Sequence, residues 1–138
     1  MKLYLVPFAS IVTASLVLAQ QPRTSQDGIY SAAQATRGET TFLQNCAPCH
    51  GADLSGAEGG PALIGGEASQ YWNGLKLSEL FERIKTTMPQ SAPGSLADRQ
   101  YADLLAFILS KNDFPAGATD LPFQRELLSE ITYKVPSR

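Results

Sequence analysis

The chain has 138 residues, of which 43% are hydrophobic and 17% charged, with 11 Lys and Arg against 13 Asp and Glu. That size and composition allow one soluble domain at most. No basic run and no basic patch interleaved with aromatics occurs, which excludes nucleic acid as the natural partner.

The first stretch, "MKLYLVPFASIVTASLVLAQQP", stands apart from that domain. Lys2, an apolar run and Val17-Leu18-Ala19 make a signal peptide over residues 1–19, with cleavage expected after Ala19. The competing reading is an uncleaved membrane anchor, because Leu3 to Ala19 falls only slightly short of the roughly 20 apolar residues a span needs. Pro7 and the small residues before Gln20 favour cleavage, and no Cys follows the run to carry a lipid. A periplasmic location is therefore expected, with membrane contact only if the segment stays attached. Loss of Lys2 leaves 10 Lys and Arg against the 13 acidic residues, a net charge of −3.

Residues 20–28, "QQPRTSQDG", are polar and read as a flexible leader. From Ile29 to Gln44 the pattern predicts a helix, with Ala35, Gly38, Phe42 and Cys46 along one face. Gly38 inside it costs about 1 kcal/mol relative to Ala, so close packing against it is expected. The stretch "GADLSGAEGGPALIGGEASQ" holds six Gly and one Pro and is expected to be irregular, yet it is too long to be idle in a compact domain. Leu77, Leu80, Phe81 and Ile84 mark an amphipathic helix ending near Met88, since a residue before Pro avoids the helical region. Ser95 with Asp98 predicts a capping box, opening a helix to about Lys111 with Tyr101, Leu104, Leu105 and Ile108 on one face and Asn112 as its cap. The tail after Asn112 predicts a last short helix with Pro122 in its first turn. No repeat, strand-like alternation or linker interrupts this, so an all-α domain with long loops is expected.

"NCAPCHGADL", residues 45–54, gathers both cysteines and the single histidine. A structural zinc site needs four ligands, and no further Cys or His exists to complete one. A redox C-x-x-C normally follows a strand, and no strand pattern precedes Cys46. A Cys46–Cys49 disulfide would close a tiny loop and stabilise little. Covalent haem accounts for all three side chains, because two thiols add to the two vinyl groups and the adjacent imidazole binds iron. Zinc and dithiol chemistry remain the alternatives.

"CAPCH" with Gly51, then "GGPAL", then "TTMPQ", then a closing helix resembles the class I mono-haem c-type cytochromes over residues 29–112. The closing portion is similar to the cytochrome modules associated with quinoprotein alcohol dehydrogenases. The resemblance implies three to five helices wrapped around one covalent haem c. It implies Cys46 and Cys49 as the attachment points and His50 and Met88 as axial iron ligands. It also implies the Pro61 carbonyl as partner of the second His50 nitrogen, and Tyr71 and Trp72 as holders of a haem propionate, with Arg83 as the alternative. Gly38 and Phe42 against Leu104 and Phe107 resemble the family's crossing of first and last helices.

The function this implies is a monomeric exported electron carrier, not an enzyme. It would run between a periplasmic dehydrogenase, a quinoprotein by the narrower resemblance, and a downstream oxidase or cytochrome. The rivals are a cytochrome subunit of a dehydrogenase complex, with residues 113–138 packed on the haem domain or docking from it, and a haem protein whose sixth position is open for peroxidase or gas-sensing work.

Overall fold

The structure, a computed structural model, describes residues 23–136. The expected signal and residues 20–22 of the leader lie outside the described residues. Within them the element order is β1 (Arg23–Thr24), α1 (Ala32–Asn45), α2 (Ala47–His50), α3 (Gly66–Trp72), α4 (Leu77–Thr87), α5 (Asp98–Lys111), α6 (Arg125–Ser129) and β2 (Ile131–Thr132). None of these helices is long and apolar enough to cross a membrane.

The crossing of α1 and α5 organises the core. Gly38 is the point of contact: an added Cβ there would overlap the Asp103 carbonyl oxygen and lie 2.9 Å from Phe107 Cβ. Phe42 meets Phe107 with ring centroids 5.3 Å apart. Helix α5 is buried on nearly every side, from Tyr101 through Phe107 and at Leu109, far beyond the one face its periodicity marks. The crossing is edged by Arg37, whose Nε and Nη2 donate to the two Asp103 carboxylate oxygens at 3.0 and 3.1 Å. The same Nη2 reaches Asp120 at 2.6 Å, so one guanidinium joins α1, α5 and the tail.

Several boundaries differ from the expectations, each for a local reason. Helix α1 starts at Ala32 rather than Ile29, because the Ser31 hydroxyl caps the Gln34 N–H at 3.0 Å. Ile29 and Tyr30 owe their apolar character to burial under the tail: Gly117 N donates to the Tyr30 carbonyl, and the Tyr30 hydroxyl donates to the Phe114 carbonyl at 2.6 Å. Helix α5 is capped by Gln100 Oε1, which accepts from Ala97 N at 3.0 Å, and Ser95 has no part in it. Pro122 lies outside α6, which begins at Arg125 after Gln124. Among the described residues six helical segments form rather than three to five. Helix α3 rises inside the glycine-rich stretch expected to be irregular, and α2 is a single turn.

Residues 23–28 are not a flexible leader. Strand β1 pairs in parallel with β2, Arg23 opposite Ile131 and Thr24 opposite Thr132. Ser25 is fully buried, accepts from Lys134 N at 2.8 Å and donates to the Lys134 carbonyl at 3.1 Å. The segment after Asn112 wraps the same core. Gln34 exchanges both amide bonds with the Leu121 backbone, at 3.0 and 2.6 Å, and Leu121, Leu128, Ile131 and Tyr133 are buried. Residues 113–136 are thus packed on the helical domain, with the first and last described segments tied to each other.

Candidate cofactor site

Cys46 is shared by two elements, closing α1 and opening α2, and its N–H still donates to the Phe42 carbonyl at 2.8 Å. Its own carbonyl accepts from Cys49 N at 3.1 Å and from His50 N at 3.0 Å. This single turn explains the spacing of the motif. Residues three and four apart on a helix share a face, so Cys46, Cys49 and His50 present two thiols and an imidazole to one side. Gly51, at φ +75°, then turns the chain away in a conformation that favours glycine.

The following loop folds back over that turn. Gly56 N donates to the His50 carbonyl at 2.9 Å, and Leu63 N to the Leu54 carbonyl at 2.8 Å. Gly59 and Gly60 press on the motif: an added Cβ at Gly60 would lie 2.9 Å from His50 Cε1, and one at Gly59 3.1 Å from Cys49 Sγ. Pro61 follows, and its carbonyl lies 2.8 Å from His50 Nδ1. A carbonyl only accepts, so this bond puts the ring proton on Nδ1 and leaves the Nε2 lone pair available. His50 is buried at 8% exposure.

These groups open on a cavity of about 830 Å³, in the range of cofactor pockets. Phe42, Leu63, Ile64, Leu80, Ile84, Leu104 and Ile108 give it apolar walls. Cys46, Cys49, His50, Pro61, Tyr71, Trp72, Arg83 and Met88 all line it, so the candidate cofactor residues of the sequence meet at one cavity. Tyr71 is 66% exposed and sits at the rim, its ring edge-on to the half-buried Trp72 with centroids 5.0 Å apart. Both cysteines are free thiols. Burial, with Cys49 adding to it, pushes the Cys46 thiol up to about 11, so it is protonated at neutral pH.

Met88 follows α4 in extended backbone, φ −126° and ψ 151°, as a residue before Pro must. Its carbonyl accepts from the Tyr101 hydroxyl at 2.9 Å, which fastens the methionine loop to the core helix.

Two lining residues lie outside the site expected from the sequence, which marks Asn112 only as a helix cap and Tyr133 not at all. Asn112 Nδ2 donates to the Leu63 and Ile108 carbonyls at 2.9 Å each, and its Oδ1 accepts from Gly65 N and Ser69 Oγ. It is the tie that holds α3 against α5. Tyr133 reaches the cavity from the far end of the chain.

The residues present fit a flat, largely apolar macrocycle with a central metal: two free thiols, one imidazole with a single free nitrogen, and one thioether face a common apolar volume. They do not fit zinc, since no three His, Cys, Asp or Glu side chains cluster as a metal site among the described residues. The arrangement is that of a small helical haem domain. Residues 33–108 match the family described as cytochrome c oxidase, cbb3-type, subunit III, more than half of the chain. The chain belongs to that family and is a c-type cytochrome of class I, an electron-transfer protein that binds haem c. No curated protein and no solved structure matches it.

Proposed function

We propose that the protein is an exported, monomeric carrier with one covalently attached haem c, working in the periplasm between a dehydrogenase and an oxidase or second cytochrome. Cys46 and Cys49 would hold the macrocycle covalently, each thiol adding its S–H across one of the two vinyl groups. His50, its ring held by the Pro61 carbonyl, would offer Nε2 to the iron, and Met88 would offer its sulfur. Haem supplies a one-electron iron couple. The chain's part is to keep that couple in an apolar cavity and to favour the ferrous state through the thioether. Trp72, Tyr71 and Arg83 at the same cavity are the donors for a propionate. A quinoprotein dehydrogenase as donor rests on the resemblance of residues 86–117 alone.

The observation that carries this reading is the convergence of both free thiols, the Nδ1-anchored His50 and Met88 on one cavity. Met88 on that cavity also favours a closed carrier over an open-site peroxidase or gas sensor. Carbon monoxide titration of the ferrous protein tests it. Weak binding in the unaltered protein and tight binding in Met88→Ala support the carrier; tight binding in both would support the open site. The family's description supports a second reading, a subunit held in a larger oxidoreductase, which co-purification from the native membrane would reveal.

A further inference from the structure

Tyr133 stands outside both the matched region, residues 33–108, and the haem domain legible in the sequence, yet it lines the cavity together with Trp72, Leu63 and Asn112. Its position is held from both sides. Tyr133 N donates to the Leu75 carbonyl and Gly74 N donates to the Tyr133 carbonyl, each at 2.8 Å. Val135 N adds a bond to Asn73 Oδ1 at 3.0 Å. These bonds stitch the tail to the turn that directly follows Trp72. The residue is 3% exposed, and its ring packs edge-on against Phe114, centroids 4.9 Å apart. Burial raises the phenol's pKa and outweighs the opposing hydrogen bond with the Ser69 hydroxyl, so the group stays neutral. Upstream, β2 is paired with β1 and Ser25 grips Lys134, so the tail is braced on either side of this one residue.

We propose that Tyr133 is a cofactor-contacting residue supplied by the C-terminal segment, and that its ring closes the cavity wall against water and so holds the reduction potential up. The inference rests on the haem reading above. Ferric haem carries one more positive charge than ferrous haem, so water admitted beside the macrocycle stabilises the oxidised form preferentially. Residues 113–136 then belong to the redox site and are not merely a docking arm.

The test is spectroelectrochemical titration of the full-length holoprotein as unaltered chain, Tyr133→Ala and Tyr133→Phe, after haem content is checked as the pyridine haemochrome. The expected result is a downward shift of the midpoint potential in Tyr133→Ala and a smaller one in Tyr133→Phe, which keeps the ring. A Tyr133→Ala protein that retains haem, helicity and the unaltered potential overturns the proposal. An unaltered protein without haem overturns the haem reading beneath it, and the haemochrome separates that failure from the first. Should Tyr133→Ala not fold, proton NMR of the unaltered ferrous protein decides, with Tyr133 assigned through Tyr133→Phe. Ring protons displaced by the macrocycle's ring current support the contact, and ordinary tyrosine positions overturn it.

Discussion

The Tyr101 hydroxyl donates a hydrogen bond to the Met88 carbonyl at 2.9 Å, joining a fully buried residue of α5 to the loop that carries the methionine. The core helix thereby fastens the backbone from which the Met88 side chain extends. Tyr101→Phe keeps the ring contact with Phe81 but leaves that carbonyl unpartnered, at a cost of about 1–3 kcal/mol. Thermal melting should fall by several degrees, and the sulfur-to-iron absorption band of the oxidised protein should weaken. An unchanged band with lowered stability would mean that Pro89 and α4 position Met88 without help.

Gly38 sets two effects of opposite sign against each other. Alanine at a helix interior gains about 1 kcal/mol over glycine. Its Cβ would overlap the Asp103 carbonyl oxygen, backbone that cannot swing aside, and overpacking of this kind costs roughly 1–3 kcal/mol or more. The clash wins. Gly38→Ala should lower the urea midpoint with little change in slope, and Gly38→Val should prevent folding. A Gly38→Ala protein as stable as the original would show that α1 and α5 move apart freely.

Tyr30 predicts an alkaline limit. Burial raises its pKa in the folded protein, where its hydroxyl donates to the Phe114 carbonyl. A raised folded value means stability fully present below the unfolded tyrosine pKa of about 10 and lost as pH rises through the folded value. Chemical denaturation between pH 8 and 11 should show falling stability above about pH 10. Tyr30→Phe should be less stable at neutral pH but shallower in that range. An identical slope in the variant would assign the alkaline limit to other groups.

Asn112→Ala removes four hydrogen bonds at once, three of them to residues 63–69, which lead into and form the start of α3. Destabilisation of about 2–4 kcal/mol is expected from the stranded partners. Helix α3 should loosen before the rest, seen as faster amide exchange over residues 66–72 than over α5. Uniform exchange across both helices would contradict the assignment.

What was legible in the sequence was local. Cys46, Cys49 and His50 announce themselves because one helical turn suffices to make the constellation. Gly38, Phe42 and Leu104 follow from helical spacing, and Phe107 and Pro61 from the resemblance. Helix α3 was invisible because Gly65 and Gly66 weaken its start and its support comes from Asn112, far along the chain. The β1–β2 pair is two residues long on each side, too short for any alternation to register. Tyr133 reads as an ordinary aromatic in a tail, and only the backbone bonds to Gly74 and Leu75 bring that tail beside the cavity.

The central claim is covalent haem at the Cys46–Cys49–His50 turn, and acid–organic extraction of the denatured protein followed by the pyridine haemochrome spectrum tests it most directly. The account predicts that haem stays with the polypeptide and gives a c-type spectrum, and that Cys46→Ala with Cys49→Ala loses it. Haem that extracts freely from the unaltered chain, or is absent from it, would contradict the account.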